Sequence, residues 1–428
     1  MSSEHPGSRI PSWWIWSLGA LVLVALAAAG LGTWATARFE AVRAAAQRDL
    51  AARLATPPPT RPGVFGAVVD GEVWAEWLPA LAALDKTALD GLDPWLDDEP
   101  GAAVPSAEDL ARLDATIAAH EASLRALRSG ALRAIGRFPA DPAKATAILD
   151  DVFRPLRLAQ LAAVAAERRA AQGDLPGAVE LALAAAQFGR DLADHGPTLA
   201  AAVGASAVRR ATRVLARLAL AAQLEGELLA RVEAGARVLD ESWPSSASTL
   251  AAEHEFMLRE IVLDGARAGS GSTDLGFGIP LLSFWQHGFS PKAAIASFWE
   301  LTPRLQTSAA HAATLPWDAA LAVYRGMAAM ADTAPLRMLV ADPSHADRVI
   351  RDGLATVRLL REALTLARGR GLEGLLDPFT HAPFTRSELN GVLRVHSAGG
   401  DGVDSGGAGW LVTPIDGDDL GFEFRLAR

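Results

Sequence analysis

Cysteine is absent from this chain of 428 residues. That absence excludes disulfides, thiolate nucleophiles and cysteine-ligated zinc sites, and it fits an oxidising compartment. Tyrosine occurs once and lysine only three times, so arginine carries almost all of the positive charge. The formal net charge is -10 and no basic face is evident, which argues against nucleic acid as a partner.

The common catalytic motifs are also missing. The sequence contains no G-x-S-x-G, no P-loop, no dinucleotide-binding glycine run and no H-E-x-x-H. The densest charged segment on a predicted helix is E-H-E-F-M-L-R-E, at residues 253–260. Glu255 and Arg259 lie one helical turn apart, so a surface ion pair explains them well. The alternative is a hydrolase site that other helices would complete.

Apolar residues are plentiful, because half of the chain is hydrophobic. Alanine and leucine dominate, and this composition favours closely packed helices. We expect a mainly α protein with an N-terminal transmembrane helix, an irregular α-helical bundle and a small C-terminal α+β unit. The predicted segments are a tail (1–9), a membrane anchor (10–37), a stalk with a proline-rich linker (38–63), a helical domain (64–340) and a C-terminal unit (341–428).

The predicted anchor, residues 10–37, contains no charged residue. About 20 apolar residues at ~1.5 Å rise per residue cross a hydrocarbon layer ~30 Å thick. Trp13, Trp14 and Trp16 crowd one end, where amphipathic rings prefer the headgroup level. The lipid bilayer is therefore a predicted partner. The alternative is a signal peptide cleaved after the A-T-A at residues 35–37.

Charges around the anchor leave two orientations open. Arginine occurs once before the segment and four times shortly after it, and a positive-inside count then places the body in the cytoplasm. A first helix followed by a long domain is, however, often translocated regardless of such charges. We expect a single-pass inner-membrane protein with a periplasmic body.

Helical periodicity is clearest in the middle of the chain. Ser106 is predicted to cap a helix that runs to Phe138, and Asp141 is predicted to begin the next helix. Residues 156–193 predict a helical hairpin, whose G-D-L-P turn resembles the junction of a tetratricopeptide repeat. A single copy without a sustained period favours a hairpin inside an irregular bundle.

A glycine-rich stretch at residues 268–290 interrupts the helical pattern. It contains Phe277 and Trp285, and it suggests a further hypothesis in which the protein binds lipid or cell-wall material. A surface connection between helices is the alternative interpretation.

The composition changes after a last predicted helix, which begins at Pro343 and ends at Gly369. Residues 391–397 and 420–426 alternate as half-buried strands do. Between them lie G-G-D-G-V-D-S-G-G at residues 399–407 and D-G-D-D at residues 416–419.

Three segments in this region, D-P-F-T, H-S-A-G-G-D-G-V-D-S-G-G and G-D-D, resemble the globular end of major pseudopilins of type II secretion. The resemblance implies calcium binding by the loop between the last strands. It matches Asp401 to the loop aspartate of that family and Asp418 or Asp419 to the later one, with Asp404 as a nearby candidate. It also implies envelope or secretion-machinery proteins as partners. The whole chain resembles membrane-anchored helical proteins of the bacterial envelope.

Calcium chemistry independently suits these residues. Ca²⁺ takes six to eight oxygen ligands, and glycines around Asp401 and Asp404 permit the curvature that exposes backbone carbonyls. A solvated hairpin loop is the alternative, because aspartate and glycine are ordinary turn formers. Residues 10–37 lack the acidic residue that pseudopilins carry near the start of their hydrophobic helix, which argues against a pilus-like fibre. We therefore expect a membrane-anchored, non-catalytic scaffold or interaction protein.

Overall fold

The computed structural model describes residues 12–56, 58–85, 106–259, 291–330, 342–389, 391–400 and 420–425. The fold is mainly helical with a small amount of sheet, which confirms the predicted fold class at that level. The chain divides into two compact units. The first consists of Met1–Ala52, Met257–Pro303 and Ala331–Leu339, and the second of Arg53–Phe256, Arg304–Met330 and Val340–Arg428.

The N-terminal helix α1 (Ser12–Ala55) is 44 residues long and runs unbroken from the apolar segment through the predicted stalk. Successive prolines follow its end, and they cannot continue a helix because they lack the backbone N–H. Among the described residues, no helix is long and apolar enough to cross a membrane. The first half of the predicted anchor lies outside the described side chains, so the transmembrane assignment stays a prediction.

The body of the protein is built from helices of 8 to 25 residues. In chain order, α2 to α9 are Trp74–Ala82, Ala107–Ala119, Glu121–Ala131, Pro142–Leu149, Phe153–Ala171, Leu175–Ala193, Thr198–Leu220 and Gly226–Glu241. They are followed by α10 (Ser246–Arg259), α11 (Pro291–Ala312), α12 (Trp317–Met330) and α13 (Pro343–Ala367).

Aspartate caps fix three of the helix starts. The carboxylates of Asp141, Asp174 and Asp342 each accept a hydrogen bond from a backbone N–H in the first turn, and a proline follows in that turn. Such a cap satisfies one of the unpaired donors at a helix N-terminus. The predicted helix starts at residues 142 and 343 are therefore confirmed.

The predicted single helix from Ser106 to Phe138 was wrong in its continuity and in its end, because it is two helices and the second ends at Ala131. The Ser106 side chain does form a capping box with Asp109, but the helix breaks at His120 and resumes as α4. A short strand β2 (Arg133–Ile135) then pairs in parallel with β1 (Val69–Glu72). The strand partner satisfies backbone groups that a longer helix would have paired internally, and three residues are too few to show alternation.

Helix α7 lies at the centre of the second unit, where nearly every residue from 177 to 193 is buried. It forms a hairpin with α6 through a turn in which Gly173 has a φ of 85°, so the predicted helical hairpin is confirmed. Its likeness to a tetratricopeptide repeat stays a prediction. Helix α8 packs closely on α7, because a Cβ at Gly189 or at Gly204 would overlap the backbone oxygen of the other glycine.

The C-terminal sheet is antiparallel, with the order β3 (Thr385–Leu389), β4 (Val392–His396), β5 (Gly421–Arg425). Strands β4 and β5 confirm the predicted strands at residues 391–397 and 420–426. Strand β3 was not predicted, because T-R-S-E-L shows no alternation of apolar residues.

Candidate functional site

The predicted calcium ligands cannot be placed on this fold. Asp401, Asp404, Asp418 and Asp419 all lie outside the described residues, so the calcium site stays a prediction. Across the described ranges, no three or more histidine, aspartate or glutamate side chains are grouped as a metal site would require.

The charged segment at residues 253–260 is partly described, and its first residue caps a helix. The Glu253 carboxylate accepts a hydrogen bond of 2.6 Å from the Thr198 N–H at the start of α8. A carboxylate in this position also interacts favourably with the helix dipole. Burial lowers the pKa of the neighbouring His254 to about 4, so this imidazole is neutral. These two side chains give the hydrolase hypothesis no support, and Phe277 and Trp285 lie outside the described residues.

Between residues 23 and 34 of α1, every residue whose side-chain position the structure describes is exposed. The exposed fractions are 69% for Leu23, 64% for Leu26, 65% for Leu31 and 54% for Trp34. Burial begins abruptly at Ala35, which is 2% exposed, and continues at Val42 and Ala46. Spacings of seven and four residues place these three on one face of the helix. The change from uncovered to covered helix therefore falls near the end of the uncharged segment.

A cation, an aromatic ring and a carboxylate meet at this transition, in what we call the Trp34–Arg38–Glu300 group. Arg38 is the first charged residue after the uncharged segment, and its guanidinium carbon lies 5.1 Å from the centroid of the Trp34 ring. Arg38 Nε donates to Glu300 Oε1 at 3.0 Å, and Arg38 Nη2 pairs with Glu300 Oε2. Because Glu300 lies on α11, this ion pair joins α1 to α11 within the first unit.

In the second unit, Arg61 fixes the proline-rich linker to the helical body. Although it is charged, it is only 6% exposed. Its backbone N–H donates to the Ala134 carbonyl at 2.8 Å, and its Nη2 donates to the carbonyls of Gly130 and Ala131 at 3.2 and 3.3 Å. The same nitrogen lies 3.2 Å from Asp191 Oδ2 on α7. The linker is thereby held by both its backbone and its side chain.

Asp191 is fully buried, and its carboxylate is contacted by several polar side chains. Its Oδ1 accepts hydrogen bonds from Gln187 Nε2 at 3.0 Å and from Arg190 Nη1 at 3.1 Å. Arg190 also pairs with Asp194 at 3.0 Å. Burial raises the pKa of Asp191 to about 6, although the charges of Arg61 and Arg190 oppose the increase. We refer to Arg61, Gln187, Arg190 and Asp191 as the Arg61 cluster.

Another buried arginine, Arg351, organises the C-terminal region of the same unit. Arg351 Nε donates to Asp347 Oδ2 at 2.8 Å, and Nη2 donates to the Leu315 carbonyl at 2.8 Å. Arg351 Nη1 donates to the carbonyl of Pro378, and the guanidinium lies 5.8 Å from the centroid of the Trp317 ring. Arg351 therefore joins α13, the turn before α12 and the D-P-F-T segment.

Asp377, the first residue of D-P-F-T, connects that segment to the end of β4. Its Oδ1 accepts from the Phe379 N–H at 3.0 Å and from Ser397 Oγ at 2.9 Å, while Oδ2 accepts from the Ala398 N–H at 3.0 Å. Two of the segments that resemble pseudopilins are thus in direct contact. The resemblance itself stays a prediction.

Sequence patterns did not single out the buried arginines Arg61, Arg190 and Arg351. The available signal was weak: Arg190 and Asp191 interrupt a long run of small and apolar residues, where a charge is unexpected unless it is paired. In comparisons with known proteins, no protein family, curated protein or solved structure matches this chain.

Proposed function

We propose that this protein is a membrane-anchored, non-catalytic scaffold or interaction protein of the bacterial envelope. The observation that carries the proposal is the exposure of Leu23, Leu26, Leu31 and Trp34, followed by the burial of Ala35, Val42 and Ala46 on one face of the helix. Leaving a leucine in water forgoes roughly 1.5–3 kcal/mol relative to burial. Hydrocarbon would remove that cost for these exposed side chains.

The buried arginines have structural roles, which is what we expect of a body that presents surfaces to partner proteins. Arg61 joins the linker to α7, and Arg351 joins α13 to the D-P-F-T segment, so both guanidiniums hold elements of the fold together. We propose envelope or secretion-machinery proteins as partners. The resemblance of the C-terminal unit to pseudopilins, with calcium held by Asp401, Asp404 and Asp418 or Asp419, supports this choice.

We place the anchor in the inner membrane and the body in the periplasm. A long domain after a first apolar helix is often translocated whatever the charge of the residues that follow the helix. The absence of cysteine fits an oxidising compartment.

Membrane extraction tests the anchor. The full chain is expected to stay with membranes washed in alkaline carbonate and to be released by detergent. Leu26→Arg places a charge in the proposed span, where insertion costs roughly 2.5–3.5 kcal/mol, and it should lower the membrane-bound fraction. Gln47→Arg, at an exposed position on the same helix, is the matched control and should change nothing. Release of the wild type by carbonate, or equal behaviour of the two variants, contradicts the proposal.

Gentle crosslinking in native membranes tests the scaffold role. The expected products are adducts with other envelope proteins, which mass spectrometry identifies. Recovery of this chain alone, under conditions that crosslink known envelope complexes in the same sample, counts against an interaction protein.

A further inference from the structure

We propose that the bilayer boundary lies at the Trp34–Arg38 turn of α1, and that Glu300 holds the adjoining turn of α11 at the same level among the lipid headgroups. This inference rests on the proposed function, and it adds a second segment that contacts the membrane. The partner is the headgroup layer of a phospholipid bilayer.

Helix length supports this position for the boundary. From Trp16 to Trp34 an α-helix rises about 27 Å, and from Trp13 to Trp34 about 32 Å. The hydrocarbon core of a bilayer is ~30 Å thick. The backbone positions of Trp13 and Trp16 on α1 are therefore separated from that of Trp34 by about the distance between the two interfaces of a bilayer. Leu26, which is uncovered, falls between them.

The chemistry of the turn fits the interface between hydrocarbon and water. Trp34 is half exposed, and an indole ring favours a site that is apolar on one side and wet on the other. Arg38 lies one turn further along and stacks on that ring at 5.1 Å, within the range of a cation–π interaction. A guanidinium has five N–H donors, and Glu300 accepts one hydrogen bond from Nε and one from Nη2. The others suit a lipid phosphate.

The position of Glu300 extends the boundary to α11. Its carboxylate contacts Arg38 directly, and its side chain is 57% exposed. A turn of α11 tied to this arginine must lie at nearly the same depth as the arginine. Ser297 and Pro303 lie three residues before and after Glu300 on this helix, about 4.5 Å from it along the axis, and the first is half-buried whereas the second is exposed. Headgroups would therefore contact α11 as well as α1.

Spin labels on single cysteines test the proposal, because the native chain has no cysteine. The full chain is reconstituted in vesicles of phosphatidylcholine and phosphatidylglycerol, with labels at Leu26→Cys, Ala37→Cys, Gln47→Cys or Ser297→Cys. Collision rates with oxygen, which enriches in hydrocarbon, and with a water-soluble nickel chelate report depth. We expect oxygen to dominate at residue 26 and nickel at residue 47. Residues 37 and 297 should share an intermediate value, with nickel collisions several-fold below those at residue 47.

A second labelled position on α11 and a variant of Glu300 provide two further checks of the depth of this helix. Pro303→Cys, at an exposed position three residues beyond Glu300, should also report an intermediate depth, within about 9 Å of that of Ser297→Cys. Glu300→Gln should increase nickel access at residue 297 and leave residue 26 unchanged, because only the ion pair is weakened.

The outcomes separate this inference from the proposed function. A label at residue 26 that is as open to nickel as residue 47 overturns the anchor itself. A shielded residue 26 combined with fully water-exposed labels at residues 297 and 303 leaves the anchor intact and overturns the headgroup contact of α11.

Discussion

The Arg61 guanidinium lies 3.2 Å from the Asp191 carboxylate, and both residues are buried. The pair connects a proline-rich linker to the most deeply buried helix of the body. Within the described part of the chain, Arg61 Nε and Nη1 have no hydrogen-bond partner, so the guanidinium is only partly satisfied. Such a pair adds little to stability relative to apolar residues, but removing one partner strands a buried charge.

Arg61→Met is expected to destabilise the second unit by roughly 1.5–3 kcal/mol, because Asp191 loses its partner from the linker while it keeps Arg190 and Gln187. Urea unfolding of the full chain in mild detergent measures the loss. Arg112→Ala is the control, since Arg112 and Glu108 form an exposed pair at 3.7 Å, and it should cost at most about 1 kcal/mol. Equal losses in the free energy of unfolding would show that the linker contact stabilises the fold no more than an exposed ion pair does.

Helix starts could be predicted from the sequence where a capping residue marks them. Asp141 and Asp342 each precede a proline, so both helix starts followed from local chemistry. Strands β2 and β3 could not be predicted, because their pairing partners rather than their own residues determine them.

The buried charges could not be predicted for a different reason. An arginine between prolines is typical of an exposed linker, and its burial depends on Asp191, a residue 130 positions away. The Trp34–Arg38–Glu300 group likewise needs α11, which the local pattern of α1 does not reveal. Long-range pairs of this kind require the tertiary fold.

The crossing of α7 and α8 predicts a large effect from a single methyl group. Gly204→Ala would place a Cβ against the backbone oxygen of Gly189, so the helices must separate, and we expect a loss of roughly 1–3 kcal/mol. Gly326→Ala is the matched control, because nothing lies within 4 Å of a Cβ there. It should be neutral or stabilising by up to ~1 kcal/mol through helix propensity. Thermal unfolding followed by circular dichroism distinguishes the two, and a neutral Gly204→Ala contradicts the close crossing.

Asp352 is expected to make stability depend on pH. Burial raises its pKa to about 6 against the opposing charges of Arg348 and Arg209, while Asp377 adds to the increase. An unfolded carboxyl titrates near ~3.9. Between about pH 4 and 6 the folded state holds the proton more tightly, so the free energy of unfolding falls as the pH rises through this window. Asp352→Asn should remove that component.

His254 provides a control of opposite sign. Its pKa is lowered to about 4 by burial, whereas an unfolded histidine titrates near ~6.5. The free energy of unfolding should therefore rise with pH across this interval, and His254→Gln should remove the rise. Urea unfolding at several pH values measures both slopes relative to the wild type. If the two variants change the slope of the free energy of unfolding against pH in the same direction, one of these groups is not buried as described.

Calcium is expected to stabilise the C-terminal unit. A ligand that binds only the folded state contributes ~2.7 kcal/mol when its free concentration is a hundredfold above its Kd. Thermal unfolding with calcium should give a higher Tm than unfolding with a chelator. Asp401→Asn combined with Asp418→Asn should abolish the difference. An identical Tm with calcium and with chelator favours a solvated hairpin loop.

Protease accessibility in spheroplasts tests the central claim, that an uncleaved apolar helix holds this body at the outer face of the inner membrane. We predict that added protease degrades the body in intact spheroplasts and leaves a short membrane-bound fragment that contains α1. A body that resists protease until the spheroplasts are lysed contradicts the orientation. A freely soluble mature chain that lacks residues 1–37 contradicts the anchor.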